Sequence, residues 1–165
     1  MPTEISGATG VNKVQSSAIE TGDLPTGSVL QVVQGSATTQ TSSSSASYIE
    51  YTALSTSITP SLSTSKILIL VQNSCRVWSS QSATYSYFML ARDNVQVSDD
   101  IQFSTHDYGG SGVQARIPMP IMYLDSPNTT SSVEYSVWGK LDSGTNFGWG
   151  VSGSQSTITL MEIAG

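Results

Sequence analysis

The sequence predicts an all-β fold: an antiparallel β-sandwich, jelly-roll-like, that carries an extended N-terminal arm. Short apolar runs alternate with polar turn residues at intervals of about 8–12 residues, which is typical of such folds. No segment keeps a helical period over a useful length. The 165 residues correspond to one domain of ordinary size, whose core can support itself.

Residues 1–27 differ from the rest of the chain. Glycines and Pro25 exclude a continuous helix there, because both residue types disfavour a helix interior. Apolar residues nevertheless recur at every third position, namely Ile5, Ala8, Val11 and Val14. We interpret this segment as an extended attachment arm that lays its apolar side chains against a neighbouring surface. A weakly ordered tail is the alternative.

Residues 28–165 are expected to form the sandwich domain. Its candidate strands are 29–34, 48–53, 66–75, 85–92, 95–97, 101–104, 115–124, 133–141, 147–151 and 157–163. Asp93-Asn94 is a tight-turn signal that joins two of them into a hairpin. The Ser/Thr-rich segment 35–47 is expected to be a mobile surface loop.

For two strands the sequence also predicts the position within a sheet. Residues 67–71 are apolar without interruption, which predicts a strand at the centre of a sheet with both faces covered. Pro118 and Pro120 lie within another strand, and proline cannot donate a ladder hydrogen bond. That strand is therefore expected at a sheet edge or with a bulge.

Several strands are apolar on both faces. Tyr85, Tyr87 and Met89 alternate with Phe88 and Leu90, and Met119, Ile121 and Tyr123 alternate with Met122 and Leu124. A monomeric sandwich would expose one of these faces to water, so we expect a second subunit to cover it. The threefold spacing in the arm favours a homotrimer; a thick monomeric core under long loops is the alternative.

Charge and hydropathy limit the partners. The net charge is −6, and the chain has only 6 lysines and arginines, which are scattered. This disfavours a phosphate-binding surface, so no nucleic acid is expected. No apolar run is long enough to span a bilayer, and the N-terminus lacks the features of an export signal; no membrane insertion is expected.

The residues available for catalysis are few. A Ser-His-acid triad would need His106, the single histidine, and no Gly-x-Ser-x-Gly elbow is present. Glycoside hydrolysis needs a pair of carboxylates, and any acidic protein contains such pairs, so their presence here does not indicate a glycosidase. Cys75, the single cysteine, is interpreted as a buried apolar side chain. We expect no enzyme, no catalytic residue and no cofactor.

Four aspartates, Asp93, Asp99, Asp100 and Asp107, lie in or near predicted loops. Loop carboxylates with backbone carbonyls are the oxygen ligands that Ca²⁺ prefers. A solvated acidic surface is the simpler interpretation, so no metal residue is assigned, and calcium binding stays open.

Four aromatic residues lie beside glycine-rich or hydroxyl-rich segments: Trp78, Tyr108, Phe147 and Trp149. Aromatic rings stack on the apolar faces of sugars, and neighbouring polar groups bind the hydroxyls. These residues are candidate contacts for a glycan or surface receptor; packing at the bases of loops is the alternative. If they form a site, Trp149→Ala should abolish adhesion without unfolding the domain.

Four short phrases are informative: Gly-Val-Asn-Lys-Val at 10–14, Asp-Leu-Pro-Thr-Gly-Ser-Val-Leu-Gln-Val-Val at 23–33, the run at 57–69 and the ending at 156–163. They resemble phrases in virion proteins of tailed bacteriophages, particularly aquatic and cyanobacterial ones. This resemblance implies a homotrimeric β-sandwich of the short tail-fibre or decoration type, attached by its N-terminal arm.

The resulting functional hypothesis is a virion structural protein. Its first form is a short trimeric tail fibre or receptor-binding protein, anchored in the baseplate or tail through Ile5, Val11 and Val14 and contacting a host surface glycan. The alternative is a capsid decoration protein that stabilises the head shell; a glycan-cleaving enzyme is a remote third. The protein would be assembled in the host cytoplasm and located in the extracellular particle.

Overall fold

The computed structural model describes residues 21–80, 83–106, 113–150 and 154–165. This part of the chain is mostly strand, with almost no helix. Its elements are a short 3-10 helix at Thr21–Asp23 and eleven strands: β1 Val29–Ala37, β2 Thr41–Ser43, β3 Ile49–Ile58, β4 Lys66–Ser79, β5 Ala83–Arg92, β6 Val95–Gln96, β7 Ile101–His106, β8 Val113–Asp125, β9 Val133–Ser143, β10 Asn146–Trp149 and β11 Ser156–Ile163. No helix in these ranges has the length and apolar character needed to cross a membrane.

The strands form two antiparallel sheets. In the first sheet, β4 pairs with β8 along one edge. Along its other edge, the first half of β4 pairs with β11 and the second half with β10. β11 then pairs with β1, and β10 pairs with β2. The second sheet has the order β3-β9-β5, with β6 and β7 both paired to β5. The predicted antiparallel β-sandwich is confirmed.

The predicted positions of two strands are also confirmed. The apolar strand β4 lies at the centre of the first sheet, and its inward residues Ile67, Ile69 and Val71 are at most 3% exposed. The proline-containing β8 pairs with β4 alone among the described strands. An edge position leaves one side of β8 without a ladder, so Pro118 and Pro120 remove no hydrogen bond that the sheet needs.

The predicted hairpin between β5 and β6 is present. Asp93 and Asn94 both have positive φ, at 49° and 66°, as a two-residue type I′ turn requires. The Asp93 carboxylate also accepts a hydrogen bond from the Glu134 amide at 3.0 Å. The turn is therefore fastened to β9.

The interpretation of 35–47 as one surface loop is wrong. β1 continues to Ala37, and β2 at Thr41–Ser43 pairs with β10. Threonine has high strand propensity once a partner strand supplies the ladder, and that partner is distant in sequence. Composition alone favoured a loop because it contains no information about β10.

The core fills the space between the sheets. Its centre is an aromatic cluster in which Tyr51 stacks on Trp149, with ring centroids 5.5 Å apart, and Phe88 and Phe147 pack edge-on against it. Gly139 lies against this cluster: a Cβ there would come within 2.9 Å of Phe88, Phe147 and Trp149. Cys75 is fully buried beside Met119, as predicted, and burial raises the pKa of its thiol.

Candidate functional site

Two of the four predicted glycan contacts belong to the core. Phe147 and Trp149 have no exposed surface, because the inward face of β10 turns both rings into the aromatic cluster. A ring without exposed surface cannot stack on a sugar. The prediction is therefore corrected for these two residues, whose role is packing.

The glycines around Trp149 explain the error. Gly148 and Gly150 flank Trp149, and glycine-rich sequence is typical of flexible surface segments, but a Cβ at either position would lie 2.5–2.6 Å from a backbone carbonyl of Thr41 or Thr39. These glycines permit close approach of β10 to β2 and the segment before it. The sequence could not distinguish close packing from flexibility.

The other predicted positions have different outcomes. Trp78 lies on β4 with its side chain on the outer face of the first sheet and is 39% exposed, so it stays a candidate contact. Tyr108 lies outside the described residues, as do Ile5, Ala8, Val11 and Val14 of the predicted arm. Those predictions remain predictions.

Of the aspartates considered for calcium, the structure describes Asp93, Asp99 and Asp100, and these three form no metal-binding group. Asp93 closes the β5–β6 turn, and Asp100 accepts a hydrogen bond from Gln96 at 2.9 Å. Within the described ranges no three His, Cys, Asp or Glu residues are arranged to hold a metal ion. Asp107 lies outside those ranges.

The buried carboxylate of Glu162 accepts hydrogen bonds from a strand residue and from loop residues. This inward residue of β11 is fully buried and accepts hydrogen bonds from Gln31 Nε2 at 2.6 Å, the Ser61 amide at 2.6 Å and the Ser65 hydroxyl at 2.7 Å. Burial alone would raise its pKa, but the hydrogen bonds from Gln31, Ser65 and Ser61 outweigh it and lower the pKa. Its oxygens are thus occupied by structural contacts.

A second carboxylate links the two sheets. Asp125 at the end of β8 is 8% exposed. It accepts hydrogen bonds from Arg92 of β5 at 2.5 Å and from the Tyr135 hydroxyl of β9 at 2.7 Å. Burial and the Asp125 carboxylate raise the pKa of Tyr135. This triad fastens one end of the sandwich and presents no reactive group to solvent.

The outer face of the first sheet is the most distinctive surface. Six apolar side chains from four neighbouring strands lie on it, and we call them the apolar outer face. They are Val32, Leu68, Leu70, Met122, Leu124 and Met161. One row of directly opposite residues crosses all four strands, because Val32 is opposite Met161, Met161 is opposite Leu68, and Leu68 is opposite Leu124. The next row places Leu70 opposite Met122.

Half of these side chains are strongly exposed, whereas Leu68, Leu70 and Met161 are partly buried. Val32 is 54% exposed, Met122 75% and Leu124 50%. A shallow groove of about 300 Å³ runs beside Leu70 and Met122, between Pro120 and Thr159. Contiguous exposed apolar surface of this kind marks an interaction site more often than scattered single residues do.

The outer face of the second sheet is different. Lys140 lies over the rings of Tyr48 and Tyr87, at 4.6 and 5.1 Å from their centroids, and Met89 is only 6% exposed. The prediction of strands with two apolar faces is thus correct for β8. On β5 the outer side chains are already partly covered within the chain.

Comparisons with known proteins find similarity to solved structures. No protein-family model matches the sequence, and no curated protein matches it significantly. Among solved structures the chain is similar to the VP2 subviral particle of infectious bursal disease virus, with 13% identity and a TM-score of 0.34. The match covers 82% of this chain and 37% of that chain, so the present chain spans well under half of its length.

Proposed function

We propose that the protein is a non-enzymatic structural protein of a virus particle and that copies of it associate through the apolar outer face, as a homotrimer. The observation that carries this proposal is the unbroken row of Val32, Met161, Leu68 and Leu124 across four strands. Apolar, methionine-containing patches of this kind form the cores of subunit interfaces. Burying them would remove exposed apolar surface at a gain of about 25 cal/mol per Å².

The composition of the remaining surface supports a particle exterior. Charged residues make up 11% of the chain, against roughly a quarter in an average soluble domain, and nearly a third of the residues are Ser or Thr. Hydration by neutral hydroxyls is insensitive to salt screening, which weakens interactions between exposed charges. Such a surface suits a particle that meets changing ionic strength.

The more specific proposal is a short tail fibre that contacts the host surface, with the arm of Ile5, Val11 and Val14 as the anchor in the baseplate or tail. It rests on the phage-like phrases of the sequence and on the exposed Trp78. A capsid decoration protein is the second candidate, because the apolar outer face would equally suit contact between neighbouring copies on a shell.

Imaging of labelled protein on intact particles separates the two. We expect label at the tail in a few copies. Label spread over the shell in many copies would exclude the fibre and support decoration.

Deletion of residues 1–25 tests the arm. The truncated chain is expected to keep its sandwich, because the described core lies within residues 29–164, but to be lost from particles. Circular dichroism verifies the fold, and quantitative blotting of purified particles measures incorporation. Normal incorporation of the truncated chain would show that the anchor lies elsewhere.

A further inference from the structure

Two arginines are opposite one another on the outer side of the first sheet, at the end that is distant from the apolar outer face. Arg76 on β4 and Arg116 on β8 are directly opposite one another in the antiparallel ladder, so both project from the outer face. Like charges directly opposite on neighbouring strands are destabilising unless something neutralises them. The chain has 6 lysines and arginines in all, and two of them meet here.

Neither arginine is neutralised by the described part of the chain. The ion pair found there joins Arg92 to Asp125, and it lies at the other end of β8. The Arg76 Nε is buried and has no hydrogen-bond partner among the described residues. A buried donor without a partner costs about 1–3 kcal/mol, so an anionic acceptor at this position would be stabilising.

An aromatic ring and a polar groove lie beside the arginines. Trp78, 39% exposed, occupies the next row of the ladder, opposite Asn146 of β10. The Asn146 Oδ1 is buried without a partner in the described chain. A groove of about 480 Å³ follows, lined by Ser42, Ser43, Ser44, Thr145 and Asn146.

Gly148 connects these parts. It lies between Ser42 and Arg76 in the same row of the sheet, and it has no side chain to separate the hydroxyl groove from the arginines. The surface therefore presents, side by side, a cationic pair, an exposed indole and hydroxyl and amide groups. Of the predicted aromatic contacts with described side chains, Trp78 is the one placed on such a surface.

We propose that this surface binds an acidic saccharide, and that a sugar carboxylate is held between Arg76 and Arg116. Guanidinium groups bind carboxylates through paired, charge-assisted hydrogen bonds. The apolar face of the pyranose ring stacks on Trp78, and its hydroxyls bond to Asn146 and to the serines of the groove. The net charge of −6 repels an anionic sugar, so the attraction must come from this local pair of guanidinium groups.

The site is distinct from the apolar outer face. Trp78 is eight residues along β4 from Leu70, which corresponds to about 26 Å in a strand. The inference extends the host-contact role proposed above and rests on it for its biological purpose. It is measured on the isolated protein, so its failure is distinguishable from failure of the assembly proposal.

Binding is tested by NMR titration of the full chain, with trigalacturonic acid, an alginate trisaccharide and 3′-sialyllactose as probes. Maltotriose and lactose serve as neutral controls, and the Trp78 indole N–H is assigned with Trp78→Phe. We expect at least one acidic probe to shift the Trp78 signal, with an affinity about tenfold or more above that of its neutral control.

Variants locate the site. Arg116→Gln and Trp78→Ala are each expected to weaken binding about tenfold. Lys66→Gln, which removes one positive charge from the other end of β4, and Trp138→Phe on the second sheet are expected to leave binding unchanged. No shift of Trp78 by any acidic probe, equal affinity for neutral and acidic sugars, or equal loss in the control variants would each overturn the proposal.

Discussion

Both faces of the first sheet carry a cluster of apolar side chains, but the two clusters differ in what covers them. The inner face meets the second sheet, and its central residues Ile67, Ile69 and Leu160 have no exposed surface. The outer face carries Leu68, Leu124 and Met122, of which the last two are at least half exposed. Apolar character alone therefore does not identify the core of this chain: one apolar face specifies the fold, and the other is available for association.

This difference predicts opposite consequences of substitution. Changes on the inner face should lower the free energy of unfolding and leave association unaffected as long as the chain folds. Changes on the apolar outer face should weaken association and leave the free energy of unfolding of the monomer nearly unchanged.

Trp149→Ala should have the largest effect on stability. The ring is fully buried on Tyr51, Phe88 and Phe147, and truncation of a buried aromatic costs about 3–5 kcal/mol. Urea unfolding followed by circular dichroism measures the loss. Trp78→Ala is the matched control, and it should cost well under half as much because its ring is partly exposed. Equal losses for the two variants would contradict the burial of β10.

Glu162 should make the inner face sensitive to acid. Its pKa is lowered in the folded state from the ordinary value of 4.5, so its contribution to stability is complete above about pH 4.5 and is lost as the pH falls through the folded-state pKa. Glu162→Gln should cost about 1.5–3 kcal/mol at neutral pH and should flatten the decline of stability below about pH 4.5.

Urea unfolding at several pH values measures this effect. Asp142→Asn, which removes an exposed carboxylate from β9, is the control and should retain the wild-type decline. The account of Glu162 would be wrong if Glu162→Gln and the wild type lost stability in parallel over that range.

At concentrations at which the wild type is also monomeric, Met122→Glu should change stability least, by about 0.5 kcal/mol or less, because the side chain is 75% exposed on the edge strand β8. Its effect should appear in association, since a carboxylate would be buried without a partner at the interface. Sedimentation and urea unfolding of the same sample separate the two effects. Gln102→Glu, on the exposed side of β7 in the second sheet, is the matched control and should alter neither.

Much of the sandwich could be predicted from local sequence. The period of two, the apolar run 67–71, the Asp93-Asn94 turn and the two prolines each depend on neighbouring residues, and the structure confirms their consequences. The strand at Thr41–Ser43 and the burial of Trp149 could not be predicted in this way. Both depend on pairing between β2 and β10, whose residues are about a hundred positions apart.

The candidate sites show the same limit. The exposure of Met122 and Leu124 follows from alternation along β8, so an apolar second face was predictable. The meeting of Arg76 with Arg116, and of Trp78 with Asn146, depends on the register of β4 against β8 and β10. The spacing of residues within these three strands does not indicate the register between them.

Sedimentation velocity of the full chain tests the central claim most directly. Over a range of about 1–100 μM, the wild type is predicted to sediment as a trimer that dissociates on dilution, and Met122→Glu and Leu68→Glu are predicted to remain folded monomers. A folded wild-type monomer at every concentration would contradict the account, as would a trimer that both substitutions leave intact.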